Sequence, residues 1–202
     1  MILGVTGCPG SGKSELASEL KRRGWLLIDA DAVGREVVEE SEDVLAQLCV
    51  VFGDDIVNEE GQLNRRELGK RAFSSHVNTR KLNEIVHPRL IEHMRREIHL
   101  LHSSGSNVVV DCALIFEWDI GEMFDMTVCV ASDEASRKER IMHRDGRSSK
   151  EVADMFGTQL SEVEKMKRAD IMVKNNGSLN KLFTFGSMLH QLPDLLQEFA
   201  RD

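Results

Sequence analysis

A short segment near the start of the chain has the residue types and the spacing of a loop that binds phosphate. Gly7 is followed after four residues by Gly12, Lys13 and Ser14, which fits the pattern G-x-x-x-x-G-K-[ST]. Glycines let the backbone curl so that its N–H groups point at phosphate oxygens, and Lys13 brings a positive charge to the outer phosphates. The Ser14 hydroxyl is a suitable ligand for Mg²⁺. The segment therefore predicts binding of a nucleoside triphosphate, but it does not identify the group that receives the phosphate.

Carboxylates follow two other apolar segments of the chain. Asp29 and Asp31 end the segment LLIDAD, and Asp111 ends the segment VVVD. Ligands of parallel sheets bind beyond the carboxyl ends of the strands, so Asp31 is placed to take a proton from an attacking hydroxyl. Asp is also a good helix cap, and a cap for the following helix is an equally open interpretation of Asp31. Asp111 is in the position of an aspartate that helps to hold Mg²⁺.

These residues need strands and helices to position them, and apolar runs alternate with amphipathic stretches along the chain. The apolar runs are rich in Val and Ile, which is typical of strands covered on both faces of a parallel sheet. We expect strands at 2–6, 25–29, 107–112, 124–131 and 170–174. We expect helices at 13–23, 31–40, 43–52, 65–73, 77–103, 133–144, 149–168 and 178–200. The alternation predicts an α/β fold with a doubly wound, five-stranded parallel sheet.

Two parts of the chain depart from simple alternation. Residues 30–106 contain several predicted helices and no convincing strand, which indicates a helical insertion rather than one crossover. The segment RDGRSS interrupts a later helical pattern and indicates a mobile lid. Within the insertion, Pro88 is expected to kink or break a helix. The predicted division is a nucleotide-binding core of 1–30, 107–136 and 169–202, a helical substrate-binding insertion of 31–106, and a lid of 137–168.

The charged residues are unevenly distributed. The net charge of −8 argues against a general nucleic-acid-binding protein. However, residues 65–81 contain six Lys or Arg against one Glu, and residues 137–150 contain six against two acids. Two basic segments in an acidic protein indicate two places that meet anions. Basic residues on a helix are also typical of a solvated face, so this interpretation is open for each segment.

The composition is that of an ordinary globular protein, with 41% hydrophobic and 30% charged residues. No apolar run approaches the roughly 18 residues of a membrane span, and the first predicted strand leaves no room for a signal peptide. We therefore expect a cytoplasmic location and no membrane partner.

The four cysteines form no C-x-x-C pair, which favours free thiols over zinc ligands or disulfides. Cys8 lies in the glycine loop, and we expect a tolerated side chain there rather than a nucleophile.

Taken together, these segments resemble the dephospho-coenzyme A kinase family nearly from end to end. The family's loop is matched by Thr6–Ser14, and its D-A-D motif with a following arginine is matched by Asp29–Asp31 and Arg35. Its later motifs are matched by Gly61, Arg66, Leu68 and Phe73; by His87–Pro88; by Ala113–Glu117; by Arg144, Asp145 and Gln159; and by Ala169–Val173 with Asn176 and Gly177. Two positions depart from the family pattern: Pro9 has no N–H to offer phosphate, and Ala113 stands where the family has proline.

The resemblance implies a P-loop kinase that transfers the γ-phosphoryl group of ATP, with Mg²⁺, to the 3′-hydroxyl of dephospho-coenzyme A. It implies catalytic roles for Asp31, Lys13 and Arg144. The implied ATP-binding residues are Gly10, Ser11, Gly12, Lys13, Ser14, Glu15, Arg147, Asn176 and Gly177. The implied substrate contacts are Thr6, Asp31, Arg35, Arg66, His87 and Glu117, and the implied metal ligands are Ser14 and Asp111. We expect ATP and dephospho-coenzyme A as the partners of a monomer or weak homo-oligomer.

Two other classes of function stay open from the sequence. A nucleoside or small-metabolite kinase of the same fold would keep the loop and the lid but lack the series D-A-D, H-P and R-D. A nucleotide-dependent switch would lack a base after the second strand, and its guanine-binding members usually carry N-K-x-D. The segment VKNNG does not match that motif.

Overall fold

Five short strands form one all-parallel sheet in the computed structural model, which describes residues 1–199 and all of their side chains except those of residues 76 and 199. The strands are β1 (Ile2–Thr6), β2 (Leu26–Asp29), β3 (Val108–Asp111), β4 (Met126–Ala131) and β5 (Ile171–Lys174). They lie in the order β2-β3-β1-β4-β5. The predicted strands and the predicted α/β class are both confirmed. Because every strand is parallel, all carboxyl ends meet at one edge of the sheet.

The helices lie between the strands, close to the predicted positions. They are α1 (Lys13–Arg22), α2 (Ala30–Glu40), α3 (Glu42–Phe52), α4 (Arg65–Ala72), α5 (His76–Ser103), α6 (Glu134–Asp145), α7 (Ser149–Phe156), α8 (Glu162–Arg168) and α9 (Leu179–Phe199). Short 3₁₀ turns lie at Asp54–Ile56 and Gly121–Met123. The prediction that α9 reaches residue 200 concerns a position outside the described residues.

Three sequence-based expectations about helices are corrected by the structure. The single helix predicted at 149–168 is wrong: α7 ends before Gly157, and Ser161 starts α8 by accepting a hydrogen bond from the Glu164 N–H. Pro88 was predicted to kink or break a helix: a break there is wrong, because α5 continues through it, and a kink stays a prediction. The loss of one N–H donor is offset there by a long helix with a buried face. Finally, α2 begins at Ala30, so Asp31 lies within its first turn and is not its cap.

The chain forms two compact units. The first contains Met1–Asp29 and the chain from Ile98 onward, with the whole sheet, and the second is Ala30–Glu97, which holds α2, α3, α4 and most of α5. The lid predicted at 137–168 belongs to the first unit in this division, and its movement as a separate body stays a prediction. No helix in the described part of the chain combines the length and the apolar composition that crossing a bilayer requires.

The core of the first unit lies between the sheet and the pair of helices α1 and α9. Its buried members include Leu3, Val5, Leu16, Leu20, Val109, Val128, Val130 and Leu182. The apolar runs of β1, β3 and β4 thus supply one side of this core, and one face of each helix supplies the other. This packing holds α1 in place directly behind the glycine loop that precedes it.

We predict that Leu20→Ala lowers the free energy of unfolding by about 2–5 kcal/mol, because it leaves a cavity in this core. Leu20 is fully buried on α1. Leu196→Ala is the matched control, because Leu196 is 50% exposed on α9 and its loss should cost less than about 0.5 kcal/mol. Chemical denaturation measures both values. Similar small losses in the two variants would contradict the assignment of α1 to the core.

Candidate active site

The loop between β1 and α1 has a backbone that only glycine can supply at two positions. Gly10 has φ of 77°, and a Cβ there would lie 2.7 Å from the carbonyl oxygen of Arg137 in α6. Gly12 has φ of 99°, and a Cβ there would lie 2.4 Å from the amide nitrogen of Asn175. Residues other than glycine rarely adopt such positive φ angles, and neither position has space for a side chain. Gly10 and Gly12 therefore allow the loop to pack against α6 and against the segment after β5.

Lys13 is the first residue of α1, and a carboxylate and a hydroxyl group lie close to its ammonium group. Its Nζ is 3.6 Å from the Asp111 carboxylate and 3.4 Å from the Ser14 hydroxyl. The first turn of α1 has backbone N–H groups without partners in the helix, and its dipole favours an anion. The Ser11 hydroxyl is buried and has no hydrogen-bond partner among the residues that the structure describes. The arrangement can therefore accept a phosphate group and the metal ion that accompanies it.

A cleft of about 480 Å³ opens beside this loop. It brings together many of the residues that the sequence predicted for ATP and catalysis: Gly10, Gly12, Lys13, Ser14, Glu15, Arg144 and Gly177. It is also lined by residues that the sequence reasoning did not select: Glu139, Arg140, Ile141, His143, Asn175 and Leu179. Ser11, Arg147 and Asn176 were predicted for ATP and are not among the residues that line it.

Arg140, which the sequence reasoning missed, makes three hydrogen bonds. Its guanidinium donates to the carbonyl oxygen of Gly10 at 3.2 Å, to the carbonyl oxygen of Asn175 at 2.8 Å and to the Ser132 hydroxyl at 3.2 Å. The Asn175 side chain in turn donates to the carbonyl oxygen of Ser11 at 2.8 Å. The glycine loop is thus tied to the segments that follow β4 and β5. The sequence signal for Arg140 was its place in the basic segment 137–150, which did not distinguish it from its neighbours.

The predicted lid arginines share one carboxylate. Arg144 forms a bidentate pair with Asp145, with distances of 2.7 and 2.9 Å, and Arg147 lies 3.7 Å from the same side chain. The hydrogen bond from Arg144 holds the pKa of Asp145 below its usual range. Both guanidinium groups remain exposed, and the side chain of Arg144 is 69% exposed. They are therefore available to an anionic ligand, and Asp145 holds them close to each other.

The end of β5 is held against the end of β4 by polar contacts. The Asn176 side chain accepts a hydrogen bond from the Asp133 N–H at 2.9 Å, and the Asn175 N–H donates to the carbonyl oxygen of Ala131 at 2.7 Å. Gly177, which lines the cleft, has open space where a Cβ would stand. The Asn176 side chain thus ties the end of β5 to the segment after β4, and its predicted contact with ATP stays a prediction.

Two of the predicted substrate contacts are already engaged inside the first unit. The Thr6 side chain is fully buried, and its hydroxyl donates to the carbonyl oxygen of Ala113 at 3.1 Å. The Glu117 carboxylate accepts hydrogen bonds from the Leu160 N–H at 2.9 Å and from Lys165 Nζ at 2.7 Å. Their contact with substrate stays a prediction, and the structure adds Lys165 as a residue that the sequence reasoning missed.

The remaining predicted substrate contacts lie in the second unit. Asp31 and Arg35 are exposed on α2, and Arg66 is exposed on α4, where it forms no ion pair with any described residue. His87 is half-buried on α5, and burial lowers its pKa to about 4. A neutral imidazole at pH 7 can exchange hydrogen bonds with a substrate but adds no positive charge.

The basic segment 65–81 is partly neutralised within the second unit. Arg71 binds the carboxylates of Asp55 and Glu67, and Arg65 binds the carboxylate of Glu39. Asp55 and Glu39 lie outside segment 65–81, which is why the local charge count overstated the positive charge available to a ligand. An anion meeting this segment would therefore be bound by its remaining basic residues, Arg66 among them.

The four cysteines are thiols and form no disulfide. Cys8, Cys112 and Cys129 are buried, whereas Cys49 is partly exposed. Burial raises the pKa of Cys8, and it raises that of Cys129 to about 12. Thiols with raised pKa values stay protonated at neutral pH and are poor nucleophiles. Cys8 therefore contributes packing, and its Sγ lies 3.8 Å from the carbonyl oxygen of Leu160.

The oxygen atoms around Lys13 suit a magnesium ion. Mg²⁺ is usually bound by one or two protein oxygens together with substrate phosphates and water. The Ser14 hydroxyl and the Asp111 carboxylate are ligands of this hard type, and Lys13 lies within 4 Å of both. No group of three or more His, Cys, Asp or Glu side chains in the described residues could hold a metal ion by itself. The donor set therefore fits an ion that arrives with a nucleotide.

Comparison with known proteins decides which kind of phosphate-binding protein this is. A model of the dephospho-CoA kinase family matches residues 1–181. A dephospho-CoA kinase of Corynebacterium glutamicum is 37% identical over 188 residues, which are 93% of this chain and 94% of that protein. The chain belongs to the dephospho-CoA kinase family.

Solved structures share the fold of this chain. A crystal structure of a Thermus thermophilus protein has a TM-score of 0.75 at 31% identity, with 98% of this chain and 97% of that chain covered. A dephospho-CoA kinase from Campylobacter jejuni has a TM-score of 0.65 at 20% identity and covers 94% of this chain and 95% of that chain. The second similarity is one of fold alone. The predicted family and the predicted P-loop kinase fold are thus confirmed.

We predict that Gly10→Ala weakens ATP binding by at least about tenfold, or about 1.4 kcal/mol, as measured by calorimetry. The added Cβ must displace either the loop or α6, because it would meet the backbone of Arg137. Gly105→Ala is the matched control, because Gly105 has φ of 78° and nothing within 4 Å of a Cβ. Both variants carry the strain of a positive φ, about 1–2 kcal/mol, but only the first should lose ATP affinity. Equal ATP affinity in the two variants would contradict the importance of this packing.

Proposed function

We propose that this protein transfers the γ-phosphoryl group of ATP to the 3′-hydroxyl of dephospho-coenzyme A, with coenzyme A and ADP as products. The observation that carries the proposal is the family match over residues 1–181, which includes the glycine loop, the residues around it and the second unit. The cleft beside the loop supports it, because phosphoryl transfer needs positioning and charge neutralisation more than covalent chemistry. A cytoplasmic location and a monomeric or weakly associated state are part of the proposal, and the free cysteines suit a reducing compartment.

In the proposed mechanism, ATP binds with its phosphates on the glycine loop. Backbone N–H groups of the loop and of the first turn of α1 donate to phosphate oxygens, and Lys13 neutralises charge on the β- and γ-phosphates. Ser14 and Asp111 would hold Mg²⁺, which supplies further neutralisation of the phosphates when it is bound. Ser11 is a further proposed contact of ATP, and its hydroxyl is buried with no hydrogen-bond partner among the described residues.

The acceptor side of the proposed mechanism rests on Asp31. The 3′-oxygen of the ribose attacks the γ-phosphorus, its proton passes to the Asp31 carboxylate, and the bond between the γ-phosphorus and the bridging oxygen of ADP breaks. The proposed substrate contacts are Thr6, Arg35, Arg66 and His87, whereas Glu117, which the resemblance also implied, is engaged by Lys165 and the Leu160 N–H. Arg144 stabilises the negative charge on the transferring phosphoryl group, and Arg147 assists it. Closure of segment 137–168 excludes water and limits hydrolysis of ATP.

Release of ADP measured with a panel of acceptors tests the proposed function. Dephospho-coenzyme A, adenosine, AMP and shikimate are compared at equal concentration with ATP and Mg²⁺. We expect turnover with dephospho-coenzyme A to exceed that with each other acceptor by at least about a hundredfold, because several polar groups of the right acceptor are lost in the others. Faster turnover with adenosine, AMP or shikimate would replace the proposal with another small-molecule kinase, and release of ADP that no acceptor stimulates would favour a nucleotide-dependent switch.

We predict that Asp31→Asn lowers kcat by at least about a hundredfold, because it removes the base and keeps the size of the side chain. The melting temperature should stay close to that of the unchanged protein, since Asp31 is exposed. Asp29→Asn is the matched control from the same D-A-D motif and should cost less activity. Turnover of Asp31→Asn within a few-fold of the unchanged protein would remove Asp31 from the role of base and leave positioning and electrostatics to explain the catalysis.

We predict that Arg144→Ala lowers kcat by at least about a hundredfold and changes the KM for either substrate much less, because a lid arginine acts on charge that develops in the transition state. Steady-state kinetics with ATP and dephospho-coenzyme A measure both constants. Lys150→Ala is the control, because Lys150 is an exposed cation in the same basic segment and has no proposed role. An unchanged kcat with a raised KM for ATP would make Arg144 an anchor of the bound nucleotide instead.

A further inference from the structure

Lys165 is a charged side chain that solvent does not reach. It belongs to α8, and its exposure is 0%. Lysine is almost never fully buried unless it is paired, because removing an ammonium group from water costs several kcal/mol. Nothing in the proposed mechanism uses this residue, and its burial keeps it from direct contact with a ligand. Its contacts therefore have to explain why a charge is placed there.

The ammonium group of Lys165 connects two segments of the first unit. It donates to the Glu117 carboxylate at 2.7 Å and to the carbonyl oxygen of Ala113 at 2.5 Å. The same Glu117 oxygen also accepts a hydrogen bond from the Leu160 N–H at 2.9 Å. Lys165 is thus bonded to the segment that follows β3 at both Ala113 and Glu117. Glu117 in turn connects this segment to Leu160, in the link between α7 and α8.

Both of these segments also touch the glycine loop. The carbonyl oxygen of Ala113 accepts a second hydrogen bond, from the Thr6 hydroxyl at the end of β1. The carbonyl oxygen of Leu160 lies 3.8 Å from Sγ of Cys8, inside the loop. In addition, Ala113 follows Asp111 by two residues, and Asp111 lies 3.6 Å from Lys13. The contacts of Lys165 therefore reach the loop from two directions and reach the carboxylate beside Lys13.

We propose that Lys165 is a positioning residue for phosphoryl transfer, which acts through Ala113 and Glu117 to hold the glycine loop and Asp111 in the geometry that the reaction needs. In this role Glu117 is a partner of Lys165 rather than a contact of the substrate. The inference rests on the proposed function and adds to it a residue that lies behind the site. Stability alone is a weak reason for the ion pair, because apolar side chains often replace a buried pair without loss of stability.

The double variant Lys165→Met/Glu117→Leu separates positioning from stability. It removes both charges and keeps most of the volume, so its melting temperature should stay near that of the unchanged protein. Its kcat should fall by at least about thirtyfold, whereas the KM values for ATP and dephospho-coenzyme A should change by less than about threefold, because misplaced groups cost rate more than ground-state binding. The control is Lys167→Met/Glu164→Leu, an exposed pair on the same helix, which should leave kcat and both KM values unchanged.

Two results would overturn the proposal. Normal kcat in a stable double variant would make the pair a structural feature only, and a raised KM for dephospho-coenzyme A at normal kcat would make Glu117 a substrate contact. If the double variant does not fold, the single variant Lys165→Met is assayed and judged by the same criteria. Its kcat is calculated from the concentration of sites that bind ATP. The unchanged protein is assayed alongside: failure to use dephospho-coenzyme A would refute the proposed function, and the positioning role would then be judged with whichever acceptor is used.

Discussion

The close packing of the glycine loop is the constraint on which the rest of this structure depends. Gly10 lies against the backbone of α6 and Gly12 against the side chain of Asn175, so neither backbone can move far without a clash. Donors that are fixed before a ligand arrives need no reorganisation when charge develops, which is the main source of electrostatic catalysis. A loop built in this way is selective for the shape of a phosphate chain, and its neighbours must keep their places for it to work.

Much of the polar structure of the first unit serves to keep those neighbours in place. Arg140 joins the loop to the segments after β4 and β5, and Lys165 joins the segment after β3 to the link between α7 and α8. Both side chains donate to backbone carbonyl oxygens. Such hydrogen bonds fix the position of the backbone whatever the side chain of the accepting residue. The all-parallel sheet makes this possible, because it brings the carboxyl ends of all five strands to one edge.

The sequence predicted the elements well where the physical signal is local. The runs of Val and Ile identified every strand, and the glycine spacing identified the loop and the start of α1. The division between α7 and α8 was missed, although Gly157 and the cap at Ser161 were available as signals. Pro88 was expected to kink or break α5, but the helix does not break there, because its buried face outweighs one missing hydrogen bond.

The sequence predicted the site less completely, because several of its features depend on partners that are distant in the chain. Lys165 reads as one of several lysines on a charged helix, and only the fold shows that Glu117 and Ala113 enclose it. Likewise, the charge of segment 65–81 appeared larger than it is, since Glu39 and Asp55, which pair with Arg65 and Arg71, come from other segments. Burial of Thr6 could be expected from its place at the end of a buried strand, but the partner of its hydroxyl could not.

The position of the transferred phosphate tests the central claim most directly. The protein is incubated with ATP, Mg²⁺ and dephospho-coenzyme A, and the products are observed by phosphorus NMR. We expect one new phosphomonoester signal, coupled to the hydrogen on the 3′-carbon of the ribose and growing in step with ADP. A signal coupled to the hydrogen on the 2′-carbon, a phosphate on the terminal arm of the acceptor, or inorganic phosphate as the only product besides ADP would contradict it.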